Sequence, residues 1–225
     1  MKFPALPLLL SFNGGYVDTL GFLALSGLFT AHVTGNFVTF GATLALGTAG
    51  ALPKLLALPV FCVVVFLTRL AGLCLERRNL PVLRPLLFIK LLLLSAVAAY
   101  ALWHGPFAVA ESDVMLGVGM TLVAAMAIQN AVHRVHLPKA PPSTLMTGTT
   151  TQIMLDLADI MAGEKGEQTT AASARIKRMV VAVIAFAAGC GLGALAFVVA
   201  PAAAFVLPAI VAALGLISNA AATEA

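Results

Sequence analysis

The stretch FTAHVTGNFVTFG, residues 29–41, decides how this chain is read. It sets Thr34, Gly35 and Asn36, with His32 just before them, inside a sequence that is otherwise soluble in lipid. About half the chain later STLMTGTTTQIML, residues 143–155, repeats the Thr-Gly core at Thr147 and Gly148. Two polar elements at matched places in an apolar chain suggest a duplicated functional unit, and the flanking sequence tests that idea.

Of 225 residues, 61% are hydrophobic and only 10% charged, and the mean hydropathy is +1.04. Soluble domains hold about 25% charged residues, so no water-soluble fold of this size can hide so much apolar surface. The apolar runs are continuous rather than alternating, which implies membrane helices and excludes a barrel. The net charge of +4 is no nucleic-acid signature, because the basic residues gather at the ends of apolar runs. Cys62, Cys74 and Cys190 lie within apolar runs without metal-ligand spacing and read as packing residues. The start, MKFPALPLLL, lacks a small-x-small cleavage site and reads as part of a retained first span.

A span needs about 20 apolar residues. Six runs qualify: 4–28, 55–75, 86–103, 114–132, 179–199 and 202–218. Runs 34–50 and 147–163 are rich in Gly, Thr or acid, and a central Asp costs about 2.5–3.5 kcal/mol on insertion scales. Charge chooses between six spans and eight. Arg77, Arg78 and Arg84 place one connection in the cytoplasm, and Arg134 with Lys139 place another there. The connection 103–113 has no Lys or Arg and is external. Arg175, Lys177 and Arg178 stay inside only if 147–163 does not cross. Lys54 is a lone external charge against this pattern, and Lys90 is near enough to the inner end to snorkel. The expectation is an all-α chain of six spans with both termini cytoplasmic, the eight-span form remaining open. Three spans per half, about 1–105 and 106–225, force the halves to be inverted, each with a broken or re-entrant polar segment.

Each half also carries polar groups in its first span. Asn13, Tyr16 and Asp18 precede the first Thr-Gly element; Gln129 and Asn130 precede the second. The run GGYVDTLGFLALSGLFTAHVTGNFVTFG resembles the YoaK-like family of bacterial membrane proteins, through Gly15-Tyr16-Val17-Asp18 and Thr34-Gly35-Asn36. The second half departs from the pattern with Thr149 where the first has Asn36. The resemblance implies a multi-pass protein of the bacterial inner membrane and supplies no substrate.

Asp18 lies well inside the first apolar run, where a carboxylate needs a partner or water. Arg69 is its expected partner. The pair either fixes helix packing or belongs to a solute or proton path. Thr34, Gly35 and Asn36 read as the start of a short helix capped by Thr34, or as an ordinary capped loop. Gln152, Asp156 and Asp159 share one helical face, as a cation or proton site or as an end emerging into water. His133 and His136 fit a basic membrane edge better than a metal site, for no further ligand stands near them. Gly189 and Gly193 form a GxxxG pattern that favours close helix packing, and Trp103 reads as an outer-interface anchor.

The expected function is passage of a small polar solute or ion, through a path drawing on Asn13, Tyr16, Asp18, His32, Thr34, Gly35, Asn36, Arg69, Gln129, Asn130, Thr147, Gly148, Thr149 and Asp156. No cofactor and no metal are expected. The partners are the lipid bilayer, the unknown solute and, as an open matter, further copies of the chain. A structural or regulatory membrane subunit is the alternative. A membrane-embedded enzyme is the weaker one, since no nucleophile–base pair can be assembled.

Overall fold

The computed structural model describes residues 5–105, 113–163 and 167–223, with the backbone alone at 167–168 and 219–223. Lys2 and part of the 103–113 connection, with Glu111, fall outside that range. The described chain is helical from end to end. In order come α1 (Leu6–Ala24), α2 (Gly35–Leu46), α3 (Ala51–Arg77), α4 (Leu83–His104), α5 (Asp113–His136), α6 (Met146–Met161), α7 (Glu167–Val199) and α8 (Val206–Thr223). A 3-10 turn, Ala203–Phe205, precedes α8, and no strand occurs among the described residues.

Local sequence sets the boundaries. Pro7 sits in the first turn of α1, where a missing N–H costs nothing. Gly47 ends α2 at φ 62°, a left-handed cap that returns its N–H to the Thr43 carbonyl. Helix α2 has 12 residues and α6 has 16, hence lengths of about 18 and 24 Å, short of a hydrocarbon core of about 30 Å.

Four helices are long and apolar enough to cross a membrane: α3, α4, α5 and the 169–199 part of α7. Helix α1, interrupted by Asn13, Gly14, Gly15 and Asp18, falls short of that mark, as does the apolar segment Ala203–Ser218. The outward faces explain the composition. Val38 is 75% exposed, Trp103 85%, Met161 79% and Val198 78%. Apolar side chains in that number, facing outward on α2, α4, α6 and α7, belong against lipid rather than water.

The interior is built around α5, the most enclosed of the four long helices. Helix α1 packs along α7 and also against α8; α3 and α4 both pack on α5; α4 meets α8, and α1 meets α5. The short helices stand outside this core, α2 against α3 and α6 against α7. Glycine makes the α1–α7 crossing close. A Cβ on Gly189 would strike the Phe12 carbonyl, one on Gly15 the Phe186 carbonyl, and one on Gly193 the Tyr16 carbonyl. The GxxxG pattern thus does what its spacing predicts, bringing two backbones into contact.

Candidate functional site

Asp18 does not meet Arg69. Its Oδ1 accepts the backbone N–H of Thr30 at 2.8 Å, of Ala31 at 2.8 Å and of His32 at 3.3 Å. Its Oδ2 lies 3.6 Å from His32 Nδ1. The chain leaves α1 through Ser26 and Gly27, at φ 52° and 81°, and turns back along the helix it has just left. Its amides then close on the carboxylate, the arrangement that stabilises a buried anion without a cationic neighbour. The Asp18 carboxylate holds the half-exposed His32 imidazole above its ordinary pKa, chiefly through the side-chain hydrogen bond and against the opposing effect of burial. Arg69 faces outward and pairs with Glu76 at 3.3 Å. The expected Asp18–Arg69 pair is therefore corrected: Arg69 belongs to the outer surface, and backbone amides replace it.

The Thr-Gly-Asn element follows at once. Asn36 pairs both ways with one backbone position, accepting Phe29 N–H at 2.8 Å and donating to the Phe29 carbonyl at 2.7 Å. Gly35 lies under the Phe29 ring. Thr34 is exposed and makes no side-chain cap, contrary to the expectation for the start of α2. Asn36 is the residue that fastens this helix start.

In the second half the loop 137–145 runs back into the helices. Ser143 and Thr144 are buried, and Gly14 lies so close that a Cβ would meet the Ser143 carbonyl. Thr144 Oγ1 donates to Asn130 Oδ1 at 2.7 Å. Gln129 Nε2 donates to the Leu10 carbonyl at 2.8 Å and to Ser143 Oγ at 3.1 Å. Gln129 Oε1 in turn accepts from Lys90 Nζ. Lys90 is only 1% exposed, so it does not snorkel. Its helix is flanked by α5 and α8, and its stem runs inward to Gln129.

Beside this cluster is a cavity of about 380 Å³, reached by Asn130, His133, Arg134, Ser143 and Thr144. His133 Nε2 is 3.4 Å from the Ala140 carbonyl, while its buried Nδ1 has no partner. Asn13 shows the same incompleteness: its Nδ2 reaches the Pro208 carbonyl at 3.3 Å and its Oδ1 is unpaired. Tyr16 is tied by its hydroxyl to the Ala204 carbonyl at 2.9 Å, holding the turn before α8.

Asp156 does not emerge into water. It is 1% exposed and receives Arg175 through two nitrogens, Nε at 2.7 Å, as well as Gln152 Nε2 at 2.7 Å. Arg175 is the main reason its carboxyl stays below the usual range, with burial opposing and Gln152 assisting. Thr43 occupies the matching place on α2, eight residues past Gly35 as Asp156 is past Gly148. It accepts from Lys54 Nζ at 2.6 Å. Lys54 is therefore a buried residue of α3 rather than a charge in an open loop.

Of the residues expected to form one path, the structure gathers Asp18, His32 and Asn36 around the first loop. It gathers Gln129 and Asn130 around the second. Thr147 and Gly148 lie on the exposed side of α6, while Thr149 is buried and bonds to the Leu145 carbonyl. No hydrogen bond joins the two Thr-Gly elements among the described residues. Sequence reasoning missed Lys90, Ser143, Thr144, His133, Lys54 and Arg175 as parts of polar clusters. A Lys within the 86–103 run and a Ser-Thr pair just before the second Thr-Gly element were the available signals.

No curated protein and no solved structure matches this chain. A family model does, over residues 6–218, and its description is "protein of unknown function (DUF1275)". The likeness of Gly15–Asp18 and Thr34–Asn36 to the YoaK-like proteins is a likeness within that family. A match over nearly the whole length leaves no doubt of kinship: the chain belongs to the DUF1275 family.

Proposed function

We propose that this protein passes a small polar solute or ion across the bacterial inner membrane, as a six-span protein of two inverted three-span halves. The observation that carries the reading is the pattern of helix packing. Exchange α1–α4 with α5–α8, and the pairings exchange with them. The α1–α7 pair becomes α5–α3, α4–α5 becomes α8–α1, and α2–α3 becomes α6–α7. The α4–α8 and α1–α5 pairs map onto themselves. Such an exchange is what a duplicated, inverted transporter unit would produce.

The polar devices follow the same exchange. Asp18 and Asn130 each hold the segment that leads to their half's short helix. Thr43 and Asp156 each receive a cation from the following long helix. The cavity beside Asn130 and Thr144 has one unpaired buried nitrogen on a residue of its lining, His133 Nδ1, as a solute site would use. Helices α1, α3 and α4 serve as the spans of the first half, α5, α7 and α8 as those of the second, with both termini in the cytoplasm.

A non-transporting membrane subunit draws support from a different fact. Asn36 and the Oδ1 of Asp18 are satisfied by protein groups, which leaves neither of them for a solute. Proteoliposomes separate the two. Flux of a panel of small cations, anions and neutral polar solutes should appear with the wild type and fail with His133→Ala and Thr144→Val, both still folded. Absence of flux across the panel, or flux untouched by both variants, would establish the subunit reading. In cells, cysteines at Asn79 and Glu167, in a background lacking the native three, should resist a membrane-impermeant thiol reagent while one at Ala110 reacts.

A further inference from the structure

The start of α1, the end of α5 with its following loop, and the first half of α7 enclose a second groove, which shares Leu137, Pro138 and Ala140 with the cavity beside Asn130. It measures about 750 Å³, within the range of about 300–1,000 Å³ usual for ligand pockets and far above the needs of one ion. Its walls are apolar: Pro7, Leu8, Leu137 and Val181 supply much of the surface. The lining also holds three cations, Lys139, Lys177 and Arg178, with His136 beside them.

The two parts of this lining ask for different things. A hydrated anion gains from the rim and nothing from the walls. A neutral hydrocarbon gains from the walls and nothing from the rim. None of the three rim cations makes an ion pair among the described residues, although other basic side chains do: Arg69 with Glu76, Arg175 with Asp156. The charges are therefore free for an external anion. The groove also lies where basic residues end apolar helices, the level of lipid phosphates in a membrane helix bundle.

We propose that this groove binds an anionic phospholipid, an acyl chain lying along Pro7, Leu8, Leu137 and Val181 and the phosphate meeting Lys139, Lys177 and Arg178. Basic pockets between membrane helices are suited to anionic headgroups for this reason. The inference rests on the membrane placement of the chain and stands apart from solute passage.

Lipid retention measured by native mass spectrometry tests it on the full chain. The protein is purified from mixed micelles of phosphatidylglycerol and phosphatidylcholine. The wild type should retain phosphatidylglycerol selectively. Lys177→Gln with Arg178→Gln should reduce that retention by about fivefold for each charge removed, leaving phosphatidylcholine unchanged. Arg77→Gln with Arg78→Gln, an exposed basic pair at the end of α3, should have no effect. Should the double variant at 177 and 178 fail to fold, Lys139→Gln in the loop carries the same expectation for one charge. Equal retention of the two lipids, an equal loss in the Arg77 and Arg78 control, or displacement of the lipid by millimolar glycerol phosphate would overturn the proposal. The last result would make the groove a site for a soluble anion.

Discussion

Asp18 Oδ2 and His32 Nδ1 face each other at 3.6 Å across the bend that returns the chain onto α1. The carboxylate raises the imidazole pKa above 6.5. The proton is thus bound more tightly in the folded state than in the unfolded one. The stabilisation is complete below pH 6.5 and fades as pH rises through the raised value. Melting temperature in detergent should fall across that window in the wild type, and the slope should flatten in His32→Gln. A wild-type profile with no slope above pH 6.5 would remove His32 from the account.

Asp18 itself should be sensitive to truncation and indifferent to Arg69. Asp18→Ala leaves buried amides at Thr30 and Ala31 without an acceptor, a loss of about 3 kcal/mol or more. Asp18→Asn keeps one oxygen and should lose less. Arg69→Gln should change stability by no more than about 0.5 kcal/mol, and the double variant should match the sum of the singles. Denaturant unfolding of the four proteins measures the coupling. Rescue of Asp18→Asn by Arg69→Gln would mean that the two charges meet after all.

The glycines of α7 make a sharper comparison because two of them lie two residues apart with opposite surroundings. Gly189 is pressed on the Phe12 carbonyl, whereas a Cβ at Gly191 meets nothing within 4 Å. Gly189→Ala should cost about 1–3 kcal/mol through overpacking, and Gly191→Ala should be neutral or slightly stabilising. Thermal denaturation of both variants decides it, and equal effects would contradict the close crossing.

Lys90 and Gln129 form a pair whose members are not equivalent. Gln129→Leu leaves the buried Lys90 amino group without its Gln129 acceptor, a loss of about 1–3 kcal/mol. Lys90→Met with Gln129→Leu removes donor and acceptor together and should be more stable than Gln129→Leu alone. If the double variant is the weaker of the two, Lys90 has a partner beyond Gln129.

These expectations also mark what the letters of the sequence reveal. That Asp18, Gln129 and Asn130 carry polar chemistry is legible, because an ionisable or amide side chain in an apolar run must be accommodated. The GxxxG contact is legible for a similar reason, as spacing and size are written in the sequence. The partner of Asp18 is not. Sequence inspection looks for a residue of opposite charge, and here the answer is three main-chain amides supplied by a loop. The inward course of Lys90 is not legible either, because distance from a helix end says nothing about azimuth. Whether a long stem points to the interface or the interior depends on which neighbours flank it. Asp156 was open to both readings, since Arg175 lies beyond a turn whose path composition does not specify. The helix boundaries shifted too, α3 beginning at Ala51 with Lys54 inside it.

The glycine-lined crossing between α1 and α7 has a bearing on biogenesis. Helix α1 is made well before α7, and its flat, small-residue flank fits that later helix. Until α7 arrives, that flank must wait in the bilayer or in the insertion machinery. The same holds across the middle of the chain, where α3 waits for α5. Neither half can finish alone, so a chain severed between α4 and α5 should yield two fragments that are degraded when made separately and persist when made together.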